Sequence, residues 1–543
     1  MFISAEAEPF SKIGGLANVV YELPRELVDM GEEVYVITPL YRHGDTKSME
    51  KIKRAVEKYR VTYTGINVRF KIKEIEYEVG VYKGRVDGIN FFLLDHHEFF
   101  DGLYWGYTAE EKLRRRIAFS RACAEVITTF SLYPLFTFTN DAFAGIFNGI
   151  TKGDHVYSGN PNFKRTSFIH IIHNVGWQYF DSYNRFERGF DNFSLFNLPY
   201  SIAEDFSDPA YGDRINCMTA GVRFADRVIT VSPSYAQQIE IASDGLEHLL
   251  YRVKGINNAI GRDFFRRAKQ HLKKSRFVET YYPRFLKHVH EDTILRAKIE
   301  TRYPELLKGP HYCESVKDKM KKAILTRMRN KLLLQVQNRL SVDPDKVLFS
   351  MIHRLVEQKG FQLLLEVSEG IFNTLGFQGI IGGPVPSRDQ RGEELAHGLI
   401  QTGNYYPESV SVTIGFLDVS ISLLGSDVFL MPSMYEPGGI SQLEAFACGC
   451  FVVARATGGL RDTVHPLRIK GRFTEGNGFL FVDFTPQSFY DAMARCAAFF
   501  KQANEAQIYK ARYKAGSSVY YWDRSAREYI KEIYALKEII RIE

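Results

Sequence analysis

Short apolar runs alternate with helical spacings along almost the whole chain. Residues 2–6, ended by Pro9, read as a buried strand. Gly14-Gly15 then opens a helical pattern through Leu16, Val19, Val20 and Leu23. Residues 33–40 (EVYVITPL) are a second β-rich run. Residues 59–95 alternate polar and apolar positions, with turn signals at Tyr82-Lys83-Gly84 and Asp87-Gly88, and predict hairpins. Residues 110–130 are helical in spacing, and 135–139, 167–173 and 227–232 are further buried strands. The second half repeats the pattern, with strands at 346–353, 377–381, 410–415, 428–431, 451–454 and 478–482. Helical stretches such as 361–371 and 440–446 separate them. This alternation predicts an α/β protein of two Rossmann-like, doubly wound domains. Ligands in such sheets bind beyond the carboxyl ends of the strands, and two domains offer a cleft for them.

Length agrees, because 543 residues exceed what one core sustains. The expected division is an N-terminal Rossmann-like domain at 1–261, a helical interdomain segment at 262–345, a C-terminal Rossmann-like domain at 346–520, and a C-terminal helix at 521–543. The middle segment carries the charge. Residues 262–339 hold 21 Lys/Arg against 8 Asp/Glu, a balance of +13 in a chain whose net charge is +6. The remainder is therefore acidic, which argues against a protein built for nucleic acid and for reading the basic stretch as solvated helix faces. The six cysteines are scattered and make a poor zinc pattern, so they read as reduced, packed thiols. No run of 18 apolar residues is present, and the chain starts on a strand pattern rather than a basic leader. The expectation is a cytosolic or organellar protein without a membrane partner.

Four loops each follow a strand and open a helix. The first is Lys12-Ile13-Gly14-Gly15-Leu16-Ala17-Asn18, where a Gly pair lets backbone approach a ligand and a helix start presents N–H groups to an anion. The second is His353-Arg354-Leu355-Val356-Glu357-Gln358-Lys359-Gly360, whose two cations can straddle a diphosphate. The third, Glu436 to Glu444, places two carboxylates around the turn Pro437-Gly438-Gly439. The fourth is Thr457-Gly458-Gly459-Leu460. None has the Walker or G-x-G-x-x-G spacing.

Taken in order, these motifs resemble the glycogen/starch synthase family, retaining glucosyltransferases of the GT-B fold. Lys12-Ile13-Gly14-Gly15-Leu16 resembles its K-x-G-G-L loop, and Asn140-Asp141 stands at its His-Asp pair. His173-Asn174 resembles its H-N strand end, and 225–233 its A-D-x-V-x-T-V-S-P run. Arg354, Lys359-Gly360, Glu436-Pro437 and Thr457-Gly458-Gly459-Leu460 complete the set. The resemblance implies a nucleotide-glucose donor, with ADP-glucose the first choice, held mainly by the C-terminal domain. It implies an α-1,4-glucan acceptor on the N-terminal side and no metal or other cofactor. Glu436, His173 and Asp141 fall to the catalytic group. Lys12, Gly14, Gly15, Arg354, Lys359, Gly438, Gly439, Thr457 and Gly458 fall to donor phosphate binding. Asn174, Asn258 and Glu444 fall to nucleotide or sugar contacts.

The chain departs from the family pattern at Asn18, Asn140, Ala142-Phe143, Asn258-Ala259-Ile260-Gly261 and Gly382-Gly383-Pro384. The acceptor side is therefore more altered than the donor side. Another retaining GT-B transferase and a weakly active glucan-binding paralogue are the alternatives. His170 reads as a buried core histidine on the strand that ends at His173. His96-His97 reads as loop. Trp177, Tyr179, Phe180 and Tyr183 form an aromatic cluster equally suited to core and to sugar stacking.

Overall fold

The computed structural model describes residues 1–43, 46–102, 106, 108–386, 389–471 and 473–542. They form two compact units, Met1–Asn258 with Trp522–Glu543, and Ala259–Tyr521. Among the described residues no helix is long and apolar enough to cross a membrane.

The first unit is built on β1 (Phe2–Ile3), β2 (Tyr35–Pro39), β3 (Thr62–Ile72), β4 (Ile75–Val86), β5 (Ile89–Asp95), β6 (Phe136–Asn140), β7 (Ser167–Ile172), β8 (Arg227–Thr230) and β9 (Lys254–Gly255). The sheet order is β9-β8-β7-β6-β1-β2-β5-β4-β3. All pairings are parallel except β3 with β4 and β4 with β5. The central strand β1 is short but buried on both faces, and Phe2 stacks on Phe138 of β6 with ring centroids 4.6 Å apart. Around the sheet lie α1 (Leu16–Asp29), α2 (Ala109–Thr129) and α3 (Asp141–Gly153). A capping box between Thr108 and Glu111 starts α2 and satisfies N–H groups that the helix itself leaves open. The C-terminal helix Trp522–Ile542 belongs to this unit, with Trp522 and Tyr529 buried and Ser525 donating to the Asn257 carbonyl at 2.6 Å.

Asp87-Gly88 is a hairpin turn, but Tyr82-Lys83-Gly84 is not: it lies inside β4. The other turn falls at Lys73-Glu74, where Lys73 takes a φ of +55°. Gly84 is in the strand for packing, since a Cβ there would lie 2.7 Å from Val61 Cγ2.

The second unit has β10 (Leu348–Ile352), β11 (Gln378–Gly383), β12 (Val410–Ile414), β13 (Val428–Met431), β14 (Phe451–Arg455) and β15 (Gly478–Phe481). Their order is β12-β11-β10-β13-β14-β15, entirely parallel. The inner strand β13 and the first four residues of β14 are buried throughout and are continuous apolar runs, whereas the edge strand β12 (VSVTI) is only partly buried. The stretch expected to be helical over 361–371 ends at Glu366 and continues as a wide turn at Gly370–Thr374.

Residues 262–345 do not form a separate body. Their buried side chains, including Leu272, Phe285, Ile299 and Leu332, share one core with Leu348, Phe429 and Val452 of the second sheet. In the long helix α4 (Lys319–Gln337), Lys331 pairs with Asp427 at 2.8 Å, and Arg512 meets the same carboxylate at 2.7 Å. Other charges of the segment pair on its surface, as Lys298 does with Asp343 and Asp345. All six cysteines are buried and unbridged.

Candidate functional site

In each unit most of the singled-out residues lie in loops that leave the carboxyl ends of the parallel strands, near the reversal of strand order. That is where an open parallel sheet leaves a crevice. The reversal falls at β1 and β6 in the first unit and at β10 and β13 in the second.

In the first unit β1 runs into Glu6, a buried carboxylate. Its Oε2 accepts from the N–H groups of Ile13 at 2.6 Å and Gly14 at 3.0 Å. The Gly pair is thus held open by the protein's own anion, and the Gly14 N–H expected to be free for a ligand is occupied. Lys12 stands about half exposed, paired with Glu8 at 2.7 Å and with Asn18 Oδ1 at 2.6 Å. Asn18 supplies an acceptor oxygen without a charge of its own.

β6 and β7 end side by side and deliver Asn140, Asp141, His173 and Asn174 together. Asp141 opens α3 with a left-handed φ of +53° and accepts from the His173 N–H at 2.7 Å. Burial pushes its carboxyl up to about 7 against the bonds from the His173 and Asn174 backbones, with the Glu6 and Asp181 charges adding to the rise. His173 is buried, and its Nε2 lies 3.0 Å from Asn140 Oδ1. Burial pulls its pKa down to about 3, so the imidazole is neutral at physiological pH. His170 is core, with Nδ1 at Thr139 Oγ1 and Nε2 at Met218 Sδ. The aromatic cluster divides: Phe180 and Tyr183 are buried, whereas Trp177 is exposed beside Tyr211, with the Arg214 guanidinium over its ring. Ala142 and Phe143 are buried, and Arg116 lies over the Phe143 ring. Asn258 is buried with its N–H on the Val231 carbonyl at 3.0 Å, and its side-chain oxygen has no partner among the described residues.

In the second unit the loops after β10, β13 and β14 are one interlocked piece. The Met434 N–H donates to the Gln358 carbonyl at 2.7 Å, and Gln358 Nε2 donates to the Tyr435 carbonyl at 3.0 Å. Gly360 has a φ of +76°, and a Cβ there would lie 2.1 Å from the Pro432 carbonyl oxygen. The Gly459 N–H donates to the Glu436 and Pro437 carbonyls at 3.1 and 2.9 Å. Gly458 and Gly459 therefore serve the approach of two loops. The α5 helix (Ser441–Ala447) leaves the third loop, and α6 (Gly458–Thr463) the fourth.

This frame brings Lys359 to Glu436, with Nζ 2.6 Å from Oε2 and both side chains nearly buried. The Ser433 hydroxyl donates to the same oxygen at 3.0 Å. Burial alone would raise the Glu436 carboxyl; the Lys359 charge and hydrogen bond outweigh it and hold the group below the usual carboxylate range. His353 lies beneath, donating from Nε2 to the Leu430 carbonyl at 2.9 Å; burial and then the Lys359 charge pull its pKa down to about 4. Arg354 is exposed and has no side-chain partner among the described residues. Thr457 is the buried N-cap residue of α6, and Glu444 sits partly buried on α5. Sequence reading passed over Glu6, Ser433 and His353. A charged residue ending the apolar run at 2–6 was the available signal for Glu6.

The interlock has a measurable consequence. A methyl at Gly459 would lie 1.9 Å from the Gly438 carbonyl oxygen, a backbone atom that moves only if the loops part. Gly459→Ala is expected to lower stability by about 3 kcal/mol. Urea unfolding of parent and variant at matched conditions measures it, and an unchanged midpoint would refute the clamp.

Residues 1–252 match the family model described as starch synthase catalytic domain, and residues 335–505 match that of glycosyl transferases group 1. The chain is 31% identical to the glycogen synthase of Exiguobacterium sibiricum, covering 97% of each chain. It is 30% identical to that of Clostridioides difficile, covering 98% of each. The catalytic domain of starch synthase IV from Arabidopsis thaliana, solved bound to ADP and acarbose, superimposes with a TM-score of 0.74 at 23% identity, covering 98% of both chains. That likeness supports the GT-B fold, and the sequence matches over nearly the full length carry the assignment further: the chain belongs to the glycogen/starch synthase family and is a glycosyltransferase.

Proposed function

We propose that this enzyme transfers glucose from ADP-glucose to the non-reducing end of an α-1,4-glucan, with retention of the α-configuration. The observation that carries the donor reading is one loop holding an exposed cation and a cation shared with a carboxylate. Arg354 is exposed without a side-chain partner among the described residues, and on the same loop Lys359 is held by Glu436. Arg354 meets the diphosphate directly. Lys359 stays on the carboxylate and stabilises negative charge as the nucleotide departs. Glu436, kept ionised by Lys359, accepts hydroxyls of the transferred sugar and offsets positive charge developing on the ring. For the first unit the family resemblance assigns Lys12 to phosphate and His173 to sugar. ADP in the solved starch synthase IV supports the choice of nucleotide.

The deciding experiment measures nucleotide release from ADP-glucose and UDP-glucose, each with and without a glucan primer. Primer-dependent ADP release is expected. Release from UDP-glucose alone would overturn the donor, and primer-independent release the acceptor.

Arg354 and Lys359 occupy the electrostatic role that a divalent ion fills in other glycosyl transfers. Activity in excess EDTA is accordingly expected to equal that in its absence. Loss on chelation that Mg²⁺ or Mn²⁺ restores would refute it.

A further inference from the structure

Asn140 departs from the family pattern, and its side chain does something specific. It stands at the N-cap position of α3, where an Asn side chain ordinarily accepts a backbone N–H of the first turn, yet it makes no capping bond. It is buried, with 1% of its surface exposed. Its Nδ2 faces two backbone carbonyls, Ile3 O at 3.1 Å and Phe138 O at 3.4 Å. Carbonyl oxygens only accept, so the amide can be turned only one way. Oδ1 must then be the atom 3.0 Å from His173 Nε2, and that nitrogen must carry a proton. The His173 backbone N–H is held separately by Asp141 at 2.7 Å. Its other ring nitrogen, Nδ1, has no partner among the described residues.

We infer that Asn140 is a positioning residue that locks the neutral His173 imidazole in its Nε2–H form, so that Nδ1 presents a lone pair to a hydroxyl of the bound sugar. The second half of this statement rests on the proposed role of His173 beside the transferred sugar; the first half does not. Two backbone carbonyls set Asn140, Asn140 sets the ring, and the ring can accept a hydroxyl proton but not donate one. A group fixed by such a chain of bonds meets its substrate without reorganising.

The test uses full-length protein with ¹⁵N-labelled histidine, observed by long-range ¹H–¹⁵N correlation near neutral pH. The spectrum of His173→Gln identifies the His173 signals. The parent is expected to show protonated Nε2 and unprotonated Nδ1. Asn140→Ala and the milder Asn140→Ser are expected to show both tautomers, with kcat/KM for the donor about tenfold lower. An Nδ1–H form in the parent would overturn the inference without recourse to any variant. Unchanged tautomers in both variants, or tautomer mixing with undiminished kcat/KM, would overturn it as well. A parent that shows Nε2–H but releases no nucleotide from any nucleotide-sugar would count against the transferase reading while supporting the tautomer assignment.

Discussion

Replacing Arg354 with alanine is expected to lower turnover by about 10²–10³-fold while leaving the melting temperature where it was. Two observations combine in that expectation. Arg354 sits on the loop that also carries Lys359, so in the proposed donor site the two charges act together. It is also exposed and unpartnered among the described residues, so removing it breaks no internal bond. The loss is then confined to the reaction, because a contact that strengthens as charge accumulates on the departing diphosphate is worth roughly 2–4 kcal/mol. Lys is not an equivalent replacement. A guanidinium reaches two phosphate oxygens in a fixed fork, whereas an ammonium is a point charge, so Arg354→Lys should recover only part of the rate. Steady-state kinetics and thermal unfolding on the same preparations decide the matter. Near-normal turnover in Arg354→Ala would remove the donor site from this loop.

The strands were legible because parallel strands buried on both faces must be continuous apolar runs, and 428–431 and 451–454 are little else. Turn chemistry was less legible. Asp87-Gly88 advertises its turn, whereas Lys73 takes a left-handed conformation that nothing in its side chain announces. Gly84 imitates a turn glycine but exists to clear Val61. The basic stretch 262–345 could be read as exposed helices, but not as half of a core, since that depends on strands arriving later in the chain. In the site the glycine pairs were visible as a pattern while their reasons were not. Gly14 turns its N–H to the protein's own Glu6, and Gly458 and Gly459 make room for a neighbouring loop. The Lys359–Glu436 bond joins residues 77 positions apart, and only the interlocking of two loops brings them together.

That bond determines what Glu436 can do. Oε2 accepts from Lys359 at 2.6 Å and from Ser433 at 3.0 Å, in a nearly buried site. An ammonium and a hydroxyl on one oxygen withdraw electron density from the whole carboxylate and make it a weaker nucleophile, even at Oε1. It is instead a fixed negative charge, suited to holding hydroxyls and to a ring that becomes positive. Glu436→Gln keeps the shape and removes the charge. Turnover is expected to fall by at least about 10²-fold, the scale of a lost electrostatic contact at the reacting centre. Nucleotide affinity should stay within about tenfold, or ~1.4 kcal/mol, since Arg354 remains to meet the diphosphate. A carboxylate that holds charge rather than attacking leaves no covalent adduct, so no glucosyl-enzyme is expected to accumulate. Under the proposed function the acceptor hydroxyl arrives on the face the nucleotide leaves, and the product is expected to keep the α-linkage. Mass spectrometry of enzyme quenched during turnover with a slow donor tests this directly. A stoichiometric hexosyl adduct on the peptide containing Glu436 would make the residue a nucleophile after all, and a β-linked product would rule out retention.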